Sequence, residues 1–117
     1  MDVKIEQQLE ELLESIQSYI LKIPNGCTMV ADYLREGDKV KAYSAITDFI
    51  EGIDWLTESF NILLQYDYVI SIEIEKLNQI LKEINEAIKL RNDTLLADFL
   101  EYEMADFFGN TVNIYKN

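Results

Sequence analysis

The sequence predicts an all-α fold, an antiparallel bundle of four to five helices in a single domain spanning residues 1–117. Three observations predict it. Apolar residues recur at spacings of three and four along most of the chain, the period of an amphipathic helix. Polar turn residues punctuate those runs at Asn25-Gly26, Gly37-Asp38 and Asn92-Asp93. Hydrophobic residues make up 49 % of the chain, with four glycines and one proline, which is a globular composition despite a net charge of −12. A chain of 117 residues suffices for one ordinary domain with a core that needs no metal or disulfide.

The first helix carries Ile5, Leu9, Leu12, Ile16, Tyr19 and Ile23 as a seam. It is expected to stop at Ile23-Pro24-Asn25-Gly26, where proline and Asn-Gly together break a helix. A short helix follows with Val30, Ala31 and Leu34 on one side, closed by Gly37 in the left-handed position. Asp38 then caps the longest helix, whose stripe is Ala42, Ile46, Phe49, Ile53, Leu56, Phe60 and Leu63, widened by Ile50 and Leu64.

Beyond Tyr66-Asp67-Tyr68 the pattern is ambiguous. Tyr68, Ile70, Ile72 and Ile74 alternate with polar or smaller residues, as in a strand. An extended linker entering a helix near Ser71 is preferred, because a lone strand in a helical chain has nothing to pair with. The next helix is marked by Leu77, Leu81, Ile84 and Ile88, and Asp93 is its successor's expected N-cap. The last helix, Leu95 to Phe108, reads LLADFLEYEMADFF, and Gly109-Asn110 ends it before the tail TVNIYKN. Aligning Asp38 with Asp93 also aligns Ala42 with Ala97 and Phe49 with Met104, an echo between two helical hairpins.

The composition excludes several activities. No histidine is present, which removes Ser-His-Asp and Cys-His catalysis and the Glu-x-x-His di-iron motif. One cysteine cannot anchor structural zinc, and no glycine-rich phosphate loop or calcium loop occurs, so no catalytic, metal or cofactor-binding set is expected. Seven acids and no base lie between Ala42 and Glu75, and five acids and no base between Asn92 and Tyr115. Direct nucleic-acid and anionic-membrane binding are therefore disfavoured. No apolar run reaches about 18 residues, the N-terminus lacks the basic start of a secretory signal, and Cys27 is single. A cytoplasmic, non-enzymatic protein is expected.

Two features carry functional weight. On the long helix, Trp55, Ser59, Ile62 and Tyr66 follow one another opposite the core stripe, with Asp48, Glu51, Asp54 and Glu58 near the same side. An aromatic strip among carboxylates suits a basic amphipathic partner or a second copy of the chain. The plainer alternative is that the longest helix is packed on two sides and Trp55 is core. The other feature is Glu103, which falls within the face made by Leu96, Leu100, Met104 and Phe107, whereas Asp98 and Glu101 point away. A carboxylate there has a raised pKa if it is buried, or else sits at the margin or pairs with Arg35, Arg91 or a tyrosine.

The segments NEAIKLRNDTLLADFLEYE and ITDFIEGIDWL resemble those of small, functionally uncharacterised helical proteins of Firmicute bacteria. The resemblance implies a stand-alone helical protein and transfers no catalytic residue. The helix, Asn-Asp turn and acidic helix of INEAIKLRNDTLLADFLEYE are also similar, by analogy of architecture, to flagellar export chaperones. Together these readings point to a protein-binding or adaptor bundle with Trp55, Ile62 and Tyr66 as anchors and Asp48, Glu51 and Glu58 steering the partner. An acidic decoy of a nucleic-acid-binding protein is the alternative, and a small enzyme using Glu103 the third.

Overall fold

The computed structural model describes residues 2–110 and 112–117; Met1, and Thr111 of the tail, lie outside the described residues. Helix α1 runs from Val3 to Arg35 without interruption. At 1.5 Å per residue its 33 residues span about 50 Å, which sets the 51 Å long axis of the molecule. The expected break at Pro24 is therefore absent. Proline in a helix interior costs about 3 kcal/mol, but the apolar seam passes through it in phase. Ile16, Ile23, Cys27, Val30 and Leu34 are all buried, so ending the helix would forfeit the packing of its last turns. The Thr28 hydroxyl donates to the Pro24 carbonyl at 3.1 Å inside the same turn.

Asp2 caps α1 by accepting from the Lys4 N–H. Its C-terminus closes in a Schellman turn: the Asp38 N–H donates to the Tyr33 carbonyl and the Gly37 N–H to the Leu34 carbonyl, with Gly37 at φ +79°. Asp38 accepts from the Lys41 N–H and starts α2, Lys39–Gln65, which lies back along α1. Of its expected stripe, Ala42, Ile46, Ile53, Leu56 and Leu63 are buried, whereas Ile50 and Leu64 are exposed.

Residues Tyr68–Ser71 form a strand, β1, and not the preferred linker. Its partner is the chain's own tail: β2, Asn113–Lys116, pairs antiparallel with it, placing Ile70 opposite Ile114 and Tyr68 opposite Lys116. Tyr68 is buried against the bundle, and the ribbon packs against α2. Helix α3, Ile74–Lys89, buries Leu77, Ile80, Ile84 and Ala87.

A second Schellman turn follows α3, with Arg91 at φ +53° in the position Gly37 holds in the first. Asn92, one residue before the expected cap, accepts from the Leu95 N–H and starts the last rod. The echo between the two hairpins is thus displaced by one residue: Asp38 corresponds to Asn92. The last rod comprises α4, Asp93–Asp98, a π-helical segment, Phe99–Met104, and α5, Ala105–Asn110. Leu96, Leu100, Met104 and Phe108 are buried in three successive steps of four. Each step overshoots a 3.6-residue turn by about 0.4 residue, and the wider i→i+5 turns absorb that drift, keeping one face inward. The fold is an all-α bundle with one small two-stranded ribbon. α1 is its centre, touching α2, α4, the π segment and α5.

Candidate functional site

The acidic face is built by the two longest helices. Trp55 on α2 is 36 % exposed, and its indole makes a T-shaped contact with Tyr19 of α1, with ring centroids 5.7 Å apart at 85°. It is neither fully core nor fully surface. Ile62, two turns on, is 43 % exposed, Tyr66 is half-buried where α2 ends, and Ser59 is buried, so it faces inward and not along the outer strip. Asp48, Glu51, Asp54 and Glu58 are all exposed. α1 adds Glu11 and Glu14, which with Ser15, Ser18, Tyr19 and Lys22 line a shallow hollow beside Trp55. Lys22 is the one base in that lining. The α1 acids were missed in the sequence because only folding brings the two helices side by side.

A second feature opens next to this face. Between α1 and α2, at the level of Pro24, lies a cleft of about 240 Å³ lined by Ile23, Gly26, Cys27, Val30, Ala45, Ile46, Phe49 and Leu100. Tyr19, Lys22 and Asp48 stand on its rim. On the far side of α2, a cleft of about 210 Å³ shares Ile46, Phe49 and Leu100 and is otherwise walled by Ile50, Ile53, Leu81, Ile84 and Ile88 with Asp54 and Asn85, so Asp54 borders this cleft as well. Cys27 is buried, and burial pushes its thiol up to about 12, leaving it a protonated, unreactive hydrophobe.

Glu103 sits at the margin of the last rod's inward face, half-buried, with its Oε2 lacking a hydrogen-bond partner. Its carboxyl is raised above the ordinary carboxylate range, first by burial and then by the facing Glu83 of α3, while Lys76 pulls the other way. Arg35 is not its partner. That guanidinium instead bonds Glu101 and, at 3.0 Å, Asp98, and lies 6.0 Å from the Tyr102 ring centroid. Asp98 and Glu101 thus tie the end of α1 to the last rod. Asp93, freed from capping, accepts from the Tyr43 hydroxyl at 2.9 Å and pairs with Lys39 at 3.6 Å. Glu103 lines none of the three hollows described above. Among the described residues, no group of three His, Cys, Asp or Glu is placed to hold a metal ion, and no helix is long and apolar enough to cross a membrane.

Among known families, the model of one described as a domain of unknown function, DUF8042, matches residues 11–112. No curated protein and no solved structure matches the chain.

Proposed function

The chain belongs to the DUF8042 family, whose function is unknown, and we propose that it is a non-enzymatic binding or adaptor protein that holds a basic partner on the α1–α2 face. The observation that carries this reading is the exposure of Trp55 and Ile62 inside a field of carboxylates from both helices. Large apolar residues ringed by charge are the pattern of a partner-binding patch, in which the aromatic supplies affinity and the charges supply orientation and on-rate. Trp55 and Ile62 are the anchors, with Tyr66 at the edge; Asp48, Glu51 and Glu58 select a basic segment, from another protein or from a second copy. A cytoplasmic role, Firmicute origin and a chaperone-like use of the bundle belong to this proposal, supported by the resemblance of the segments around Trp55 and Asn92.

The test is affinity capture from the native cell with wild type and Trp55→Ala, with the captured protein identified. Loss of the same protein from the variant, with helical circular dichroism unchanged, supports the reading. Equal capture by both, or loss of fold in the variant, refutes Trp55 as an anchor. The concentration of acids on one face also favours the decoy reading, in which binding is carried by charge alone. That reading requires affinity that collapses with salt and is indifferent to Trp55. A catalytic use of Glu103 finds less support, since it borders no described hollow.

A further inference from the structure

The α1–α2 cleft is unfilled for a reason visible in the sequence. Gly26 and Ala45 are its small-residue positions, one on each helix, and a Cβ placed on Gly26 meets nothing within 4 Å. A glycine in a helix interior costs about 1 kcal/mol relative to alanine, and here no steric conflict demands it. The chain therefore forgoes both helix stability and core filling at this point, and what it retains is space. Inside its rim the space is mainly apolar, from Ile23 and Val30 on one wall to Ile46 and Phe49 on the other, with Leu100 beyond.

The rim states what kind of molecule fits. Asp48 stands at the mouth and makes no ion pair among the described residues; Lys22 opposite it is likewise unpaired. Tyr19 and Lys22 also line the hollow beside Trp55, where Glu11 and Glu14 lie, so cleft and acidic face form one continuous surface. Over the cleft mouth and the hollow together, Asp48, Glu11 and Glu14 face the single base Lys22. Charge complementarity selects an occupant that is apolar at its tip and basic on its flank.

We propose that this cleft is the anchor pocket of the partner proposed above: it takes one large apolar side chain of a basic amphipathic helix, whose neighbouring Lys or Arg is held at Asp48. The inference rests on the acidic-face reading and adds to it the place where most of the binding energy is gained. Burying one large apolar side chain there changes the dissociation constant by a factor of about ten or more. Trp55 and Ile62 then form the outer part of the contact.

The experiment uses a synthetic amphipathic peptide of leucine and lysine as probe, with methyl NMR signals of Ile23, Ile46 and Ile62 and the Trp55 indole signal as reporters. In the wild type all four reporters are expected to shift on titration. In Gly26→Leu, which fills the cleft while favouring the helix, the peptide is expected to bind about tenfold more weakly with unchanged circular dichroism. Asp48→Lys, which alters charge without touching the core, is expected to weaken binding as well and serves if the filled variant misfolds. Shifts at Trp55 and Ile62 with Ile23 and Ile46 silent, or full affinity in Gly26→Leu, overturn the pocket and leave the acidic face standing. No shift at any reporter overturns both. Dodecanoate shifting the cleft methyls where the peptide does not overturns the peptide occupant in favour of an acyl chain seated on Lys22.

Discussion

The hydroxyl of Tyr19 ends 1.8 Å from where a Cβ on Gly52 would stand, and its Cζ lies 2.5 Å from the same point. The bare backbone at Gly52 is what lets α1 bring Tyr19 into its T-shaped contact with Trp55. Gly52→Ala gains about 1 kcal/mol of helix propensity but forces the Tyr19 ring off its contact, an overpacking cost of about 1–3 kcal/mol. The net is expected to be a loss of about 1 kcal/mol in urea denaturation. In a Tyr19→Ala background the same change is expected to be neutral or stabilising, a non-additivity that reports the contact itself.

Arg35 joins the C-terminal turn of α1 to two carboxylates one helical turn apart on the last rod. Its side chain is partly exposed, so each pair is modest, and the fork geometry matters more than the charge. Arg35→Ala is expected to cost about 1 kcal/mol, and Arg35→Lys to recover less than half of that, since an ammonium cannot span Asp98 and Glu101 together. Equal stability of the lysine variant and wild type in chemical denaturation would show that charge alone suffices.

Arg91 occupies the left-handed position of the α3 turn at φ +53°, where the matching turn after α1 has Gly37. Its Cβ is strained there by about 1 kcal/mol. Arg91→Gly is expected to raise stability by up to about that amount, measured as a higher denaturation midpoint at unchanged slope.

Glu103 gives the fold a pH dependence of defined sign. Its folded-state pKa lies above the ordinary carboxylate value of 4.5, so the native state holds the proton more tightly than the unfolded chain. The contribution to stability is complete below about pH 4.5 and is lost as pH rises through the raised folded value. Glu103→Gln is therefore expected to melt higher than wild type at pH 7, with the two converging below pH 4. A variant that melts lower at pH 7 would mean that the ionised carboxylate has a stabilising partner.

Much of the bundle was legible in the sequence because period and punctuation agreed: Gly37-Asp38 and the Ala42–Leu63 stripe are where the pattern put them. The reading failed where long-range packing outweighed a local signal. Pro24 and Asn25-Gly26 mark a stop, yet Ile23, Cys27 and Val30 continue the seam at steps of four and three, and that continuity was the available cue. The Tyr68–Ser71 alternation reads locally as a strand without a partner, although Val112 and Ile114 in the tail show the same alternation. The π turns were invisible as such, but three steps of four through Leu96, Leu100, Met104 and Phe108 recorded them. Of the site, the α2 contribution could be read on a helical wheel, whereas Glu11, Glu14 and the Gly26–Ala45 cleft exist only once α1 and α2 are packed.

The acidic face stands or falls on where a bound partner shields the backbone. Hydrogen–deuterium exchange of the chain alone and with its captured partner reads this directly. Protection confined to residues 11–30 of α1 and 45–66 of α2 is the expected footprint. Protection on α3 and the last rod, with the Trp55 region exchanging as in the free protein, would contradict the proposed face.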